Sequence, residues 1–237
     1  MKLIFIRHAE PDYENNTITE KGWREAELLS QRTIGWDVSE FYQSPLGRAV
    51  DTASCTLKKI SRTAVTCEWL KEFYYSWDDP CTGTNHTCWD FMPQYWTVRP
   101  KLYDKDQWMN EEPYLQKPEI YENYCRVCGL FDDLLKEHGY VRDGGIYRVE
   151  KHNDDTLVFF CHLGITCVLM SHLMGLSPVM LWQNIYIAPT GVTVLGSEER
   201  CSSIASFRAQ VIGDTSHLRF AGEPASASGY FTDTFNG

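Results

Sequence analysis

Basic residues are scarce in this 237-residue chain: 22 Lys and Arg face 32 Asp and Glu, a formal net charge of −10. A nucleic-acid binder needs a basic face to meet the phosphate backbone, and no stretch supplies one, so nucleic acid is set aside as a partner. The G-x-x-x-x-G-K phosphate loop is missing, which removes nucleoside triphosphate chemistry of that type. Internal repeats and low-complexity tracts are missing too, so solenoid and fibrous architectures fall away. No membrane partner is expected either. Leu157 to Leu176 has the length of a span, about 20 residues. It contains His162, Ser171, His172 and two glycines, however, and follows Asn153-Asp154-Asp155; a strand, a turn and a core helix account for it. Met1 leads straight into an apolar run without the charged n-region or small-residue cleavage site of an export signal, so a cytoplasmic location is expected.

The nine cysteines are odd in number and scattered, which reads as free thiols in a reducing compartment. Cys125-x-x-Cys128 has no second pair at zinc-ribbon spacing, and Cys81, His86 and Cys88 lie in the most irregular part of the chain. A closed zinc site takes four such ligands. No metal and no other cofactor is expected.

Against these absences stands one compact opening stretch. Leu3 to Ile6 is an unbroken apolar run, the mark of a short strand buried on both faces. It ends in Arg7-His8, a permanent cation beside an imidazole that can be neutral at physiological pH. Taken alone, the dipeptide reads as the surface end of a strand, and the rest of the chain changes that reading. Thr19-Glu20-Lys21-Gly22 opens a helix with Thr19 as N-cap, reaching about Arg32. Val38 to Gln43 reads as a second strand, followed by Ser44-Pro45 as N-cap and first residue of a helix through Leu57 that carries Arg48 near its start. Thr63 to Cys67 is a third strand candidate. Glu122 to His138 forms an amphipathic helix closed by Gly139, and Tyr147 to Val149 a brief edge strand. Thr156 to Cys161 is the clearest buried strand. His162-Leu163-Gly164 breaks it, and Ile165 to Met174 is a helix closed by Gly175. Val192 to Leu195 and Ala205 to Val211 form a late strand pair.

Between these elements, residues 73–121 hold 12 of the 32 aromatic residues and four of the eight tryptophans, with poor periodicity. An irregular segment this long is read as functional, here as a cap lining a substrate mouth rather than a surface excursion. Residues 221–237, rich in small and hydroxyl side chains, are read as a loosely held tail.

Ligands in open α/β sheets bind beyond the carboxyl ends of the strands. Arg7-His8, Arg48 and His162 all stand at such strand-to-helix junctions, beside helix N-termini that favour anions. Two guanidiniums and two imidazoles there suit a small, tetrahedral, doubly charged anion. The remaining histidines (His86, His138, His152, His172 and His217) have no comparable company and are read as surface or packing residues.

This ordered set resembles the histidine phosphatase superfamily, the phosphoglycerate mutase-like proteins. Arg7-His8-Ala9-Glu10 is similar to its Arg-His-Gly signature, and Thr19-Glu20-Lys21-Gly22 with Ala26 to its next helix start. Ser44-Pro45-Leu46-Gly47-Arg48 through Thr52-Ala53 is similar to its Ser-Pro-Leu-x-Arg-x-x-x-Thr-Ala. Leu70-Lys71-Glu72 matches the Leu-x-Glu that carries the proton donor, and Phe159 to His162 the strand ending in the second histidine. Gly213-Asp214-Thr215-Ser216-His217-Leu218 resembles a C-terminal phrase of the bacterial phosphatases. The resemblance implies a three-layer α/β/α sandwich with a mostly parallel central sheet, a single domain over 1–237 with the cap inserted. It also implies a metal-independent phosphomonoester hydrolase acting on a small phosphorylated metabolite. In that chemistry His8 is the nucleophile that becomes phosphohistidine, and Glu72 the acid that becomes competent once substrate is bound, with Glu68 its understudy. Arg7, Arg48, His162 and the Leu163 N–H hold the phosphoryl oxygens. Ala9 and Leu163 replace family glycines. Glu14 takes the place of an Asn that touches the phosphoryl group in mutases, and its carboxylate would repel that group; this favours hydrolysis over mutase-type transfer. A binding module using the same pocket without turnover is the reading from another class. The acids and aromatics of 73–121 lead to an expected preference for monoesters with an apolar or neutral body. Oligomeric state is left open.

Overall fold

The computed structural model describes residues 1–230 and 234–235. The principal elements are β1 (Lys2–Arg7), α1 (Glu20–Thr33), β2 (Glu40–Gln43), α2 (Gly47–Lys59), β3 (Val65–Thr66), α3 (Pro118–Glu137), β4 (Tyr140–Asp143), β5 (Ile146–Val149), β6 (Thr156–Cys161), α4 (Leu163–Met174), α5 (Pro178–Asn184), β7 (Val192–Cys201), β8 (Ile204–Asp214) and α6 (Ser216–Ala221). They form an α/β sandwich on an eight-stranded sheet of order β3-β2-β6-β1-β7-β8-β5-β4. The strands β3, β2, β6 and β1 pair in parallel, and from β1 outward to β4 every pair is antiparallel. The sheet is therefore mixed, and parallel pairing is confined to the half that carries the site.

Period-2 alternation builds the two faces of β1. Leu3 and Phe5 point to one side with Phe131, Leu135 and Phe159, whereas Ile4 and Ile6 point to the other with Leu29, Ala53 and Leu57. Helices cover both sides, which is why Leu3 to Ile6 shows no polar residue. Thr19 caps α1 as expected, its hydroxyl accepting from Gly22 N at 3.0 Å.

Several boundaries differ from the sequence reading, each for a physical reason. α2 begins at Gly47 with Leu46 at the cap position, because the Ser44 hydroxyl is turned to His162. α3 starts at Pro118, whose missing N–H costs nothing in a helix's first turn. Tyr147 to Val149 lies one strand in from the rim; Tyr140–Asp143 is the edge strand. α4 begins at Leu163, so His162 itself is its N-cap residue. The segment expected to be a loose tail is docked as far as it is described. The Tyr186 hydroxyl donates to the carbonyls of Ser226 and Ser228, and its ring stacks on Tyr230 at 4.3 Å. Residues 231–233 and 236–237 of that tail lie outside the described residues.

Five of the twelve aromatics of 73–121 are buried in the core. Phe73, Phe91, Tyr95, Trp108 and Tyr114 join the same buried cluster as Phe131 and Phe159. Trp108 is wholly buried and meets Tyr114, Tyr124 and Trp182 edge-on, at centroid distances of 4.8, 5.2 and 6.2 Å. This ties the insertion to α3 and α5. Trp108→Ala is accordingly expected to lower unfolding free energy by about 3–5 kcal/mol in denaturant titration, the usual range for emptying a buried aromatic site. A loss below about 1 kcal/mol would mean that the insertion does not share the core's stability.

Candidate active site

The register of the parallel strands assembles the site. Arg7 pairs with Cys161 and Gln43 with Phe160, so His8, Ser44 and His162 are the next residues past three adjacent strand ends. Backbone bonds continue the alignment: His8 N donates to Cys161 O and Ser44 N to Phe160 O, both at 2.9 Å. The rings of His8 and His162 lie 5.1 Å apart. Arg48 enters from the first turn of α2. The turn before it packs so closely that a Cβ on Gly47 would stand 1.9 Å from Asn16 O, so only glycine fits there.

His8 is held with one nitrogen committed. Its Nδ1 lies 2.7 Å from Ala9 O. A carbonyl only accepts, so Nδ1 carries the proton and Nε2 keeps the lone pair. Burial, then Arg7 and with them Arg48, hold the His8 pKa well below the usual histidine range, against the opposing pull of the Ala9 bond. The ring is therefore neutral at neutral pH. His162 is depressed in the same way by burial, His8, Arg48 and Arg7. Its Nε2 meets the Ser44 hydroxyl at 2.8 Å, and that oxygen already accepts from Leu46 N at 3.2 Å. With the Ser44 hydrogen donated to Nε2, the proton of neutral His162 sits on Nδ1.

The cationic and N–H groups around His8 are left with unused hydrogen-bonding capacity. Arg7 donates from Nη1 to Ile187 O at 2.6 Å and from Nη2 to Ser228 O at 2.9 Å. Its buried Nε has no partner, and neither do buried Arg48 Nε and His162 Nδ1. Arg48 forms no salt bridge among the described residues and lies over the Tyr13 ring at 5.3 Å. A buried donor without an acceptor forfeits its bond to water. Trp77, Trp108, Arg142 and Gln183 carry others. Arg7 and Arg48, however, stand near enough to His8 to depress its pKa, and His162 lies beside it, so these three are disposed to meet an anion.

Glu72 closes the opposite side. Its Oε1 accepts from Phe73 N at 2.9 Å and Ile165 N at 3.0 Å, so the carboxylate sits on the N-terminus of α4. A Cβ on Gly164 would come within 2.7 Å of that oxygen, so this glycine admits the carboxylate. Leu163 is the first residue of α4, and its N–H is one of those a helix leaves without an intrahelical acceptor. Beside Glu72 opens a cleft of about 320 Å³ lined in part by Lys71, Phe73, Tyr75, Asn123 and Arg126.

Of the residues singled out from sequence, Arg7, His8, Arg48, Glu72, His162 and Leu163 come together. Glu14 does not join them; it is exposed on the turn beyond Tyr13. Glu68 is also exposed and paired with Lys71 at 2.7 Å; it lines the cleft beside Glu72, which is the carboxylate bonded to α4. Sequence reasoning missed Ser44 as the partner of His162. It also missed Thr52, whose hydroxyl accepts from Ala9 N at 2.9 Å and donates to Arg48 O at 2.6 Å. The Ser-Pro-Leu-x-Arg-x-x-x-Thr phrase held both, but Ser44 had a simpler explanation as a helix start and Thr52 stood only as a letter of the phrase. Among the described residues, no group of three or more His, Cys, Asp or Glu is placed to hold a metal ion, and no helix is long and apolar enough to cross a membrane.

The family model described as "Histidine phosphatase superfamily (branch 1)" matches residues 3–210. A 2,3-bisphosphoglycerate-dependent phosphoglycerate mutase of Thermoplasma acidophilum is 39% identical over 83 residues, a match taking in 30% of this chain and 42% of that enzyme. Among solved structures, a phosphoserine phosphatase of Entamoeba histolytica in complex with 3-phosphoglyceric acid superposes with a TM-score of 0.59. It is 18% identical and covers 92% of this chain and 98% of its own. A mycobacterial glucosyl-3-phosphoglycerate phosphatase gives 0.59 at 15% identity, with 90% and 98% covered. At these identities the structural likenesses speak for the fold.

Proposed function

Because this chain belongs to the histidine phosphatase superfamily, we propose that it hydrolyses a small phosphomonoester through a phosphohistidine on His8, without a metal. The observation that carries the proposal is the set of unpartnered buried donors, Arg7 Nε, Arg48 Nε and His162 Nδ1, around an imidazole whose Nε2 lone pair is free.

The geometry supports the following chemistry. His8 Nε2 attacks phosphorus, an N–P bond forms, and the P–O bond to the leaving group breaks in line with it. Charge on the equatorial oxygens is met by Arg7, Arg48, His162 and the Leu163 N–H, where charge-assisted bonds are worth roughly 1.5–3 kcal/mol each. Glu72 gives its proton to the leaving oxygen. Water then attacks the phosphohistidine, Glu72 takes the water's proton, and the N–P bond breaks to release phosphate and neutral His8. An arriving phosphate replaces Ser228 O as acceptor at Arg7. Because Glu72 lines it, the cleft beside that residue is the candidate place for the rest of the substrate. Its aromatic lining of Trp69, Phe73, Tyr74 and Tyr75 can bury an apolar or neutral body, and Lys71, Asn123 and Arg126 can bond polar groups carried on it.

With two guanidiniums supplying the positive charge, phosphate release from a panel of phosphometabolites is expected to survive exhaustive EDTA treatment. Loss of activity on chelation, restored by Mg²⁺ or Zn²⁺, would overturn the mechanism. The partial match to a phosphoglycerate mutase favours one second reading, transfer between two hydroxyls. The same panel separates the two, since a mutase isomerises phosphoglycerate with little net phosphate released.

A further inference from the structure

One carboxylate is in the wrong place for a soluble helix. Glu25 lies on the inner face of α1 with no exposed surface. Buried glutamates are rare unless paired, and Glu25 is poorly paired. Its Oε1 has no hydrogen-bond partner, and the nearest cation, Lys21 Nζ, is 3.7 Å from it and closer, at 3.2 Å, to Glu223. A glutamine or an apolar residue would serve packing at lower cost. What Glu25 does make is one bond: its Oε2 accepts from Glu10 N at 2.9 Å.

That N–H belongs to the same peptide group as the Ala9 carbonyl, which accepts the His8 Nδ1–H at 2.7 Å. A chain therefore runs from the Glu25 carboxylate through the Ala9–Glu10 peptide to the His8 ring. Amide resonance couples the two ends of a peptide group, so an anion on the N–H makes the carbonyl oxygen a stronger acceptor. We infer that Glu25 is a positioning residue for the nucleophile, acting on His8 through the Ala9–Glu10 peptide; the inference rests on His8 being the group that attacks phosphorus. When Nε2 bonds to phosphorus and Nδ1 keeps its proton, the ring takes on positive charge. A stronger acceptor at Nδ1, with a negative charge two hydrogen bonds away, stabilises that cation and raises the nucleophilicity of Nε2.

The ionisation of Glu25 then makes the effect depend on pH. Burial raises its pKa to about 7, against the bond from Glu10 N and the charge of Lys21. The titratable groups facing it are Lys21 on its own helix, Glu10 after β1, Glu223 after α6 and the Tyr186 phenol ahead of β7. The folded protein keeps a proton on Glu25 where the unfolded chain, at an ordinary 4.5, has lost it. Stability from this group is therefore present at low pH and lost as pH rises through that window.

The test is Glu25→Gln, which keeps an oxygen for Glu10 N and removes the charge. Imidazole ¹⁵N shifts of His8 in the resting wild-type enzyme, followed across about pH 5.5–8.5, are expected to inflect near 7, above the ring's own depressed range. In the variant the inflection should vanish. kcat should fall roughly tenfold with KM unchanged, and the rising limb of the kcat–pH profile near 7 should be lost. Flat His8 shifts in wild type overturn the inference whether or not the variant folds, and so does an inflection or rate limb that persists in the variant. The NMR arm needs no turnover, so a failure of the phosphatase reading itself shows separately, as absent phosphate release by wild type.

Discussion

His8→Ala is expected to reduce phosphate release by about four orders of magnitude or more, the scale on which removal of a covalent nucleophile acts. The reason is geometric. His8 presents a neutral ring, its Nδ1 proton held by Ala9 O, among donors that bind only the oxygens of the substrate. His162 is not expected to substitute, since its Nε2 is engaged by Ser44 and its Nδ1 is buried. The fold should survive, as the strand ends are held by backbone bonds between Arg7, His8, Ser44 and their neighbours. Thermal melting within a few degrees of wild type checks that. Turnover undiminished in a folded variant would remove His8 from the mechanism.

Glu72→Gln should separate substrates by their leaving groups. Glutamine still offers an oxygen to Phe73 N and Ile165 N, so the junction with α4 stays in register. What is lost is the proton for the leaving oxygen, worth about 10²–10⁴-fold in kcat for an alkyl phosphate. A nitrophenyl phosphate needs no such proton, so its first step should persist. It should appear as a burst of phenolate of about one equivalent, followed by slow hydrolysis of the phosphoenzyme. Equal losses on both substrates with no burst would show that Glu72 does not act as the acid.

Much of this site was legible because its chemistry coincides with element boundaries. Arg7-His8 closes an apolar run, Arg48 follows a Ser-Pro start and His162 ends the most apolar strand, so motif and strand end reinforce each other. Glu72 was legible only through its motif, since nothing in its local periodicity says that it folds back onto α4. The Gly164 that admits it shows its purpose only in three dimensions, where a Cβ would meet Glu72 Oε1 at 2.7 Å. Residues 73–121 were legible only in part. Their aromatics, without periodicity, suggested a cap; Phe91, Tyr95, Trp108 and Tyr114 fill the core, whereas Phe73 and Tyr75 also line the cleft beside Glu72. The tail misled through composition. Small hydroxyl residues suggested looseness, whereas its backbone carbonyls, invisible to composition, tie it to Tyr186 and Arg7. Glu25 looked like one more polar residue of an amphipathic helix until its burial set it apart.

The mechanism requires a covalent phosphoenzyme. Acid-labile, base-stable phosphate should be trapped on wild-type protein quenched during turnover, and mapped by mass spectrometry to His8. ³¹P–¹⁵N coupling should place it on Nε2, because Nδ1 is occupied by its bond to Ala9 O. It should be absent from His8→Ala and should accumulate in Glu72→Gln. Rapid turnover with no phosphate on His8 at any quench time, or phosphate mapped to a different side chain, would contradict the mechanism outright.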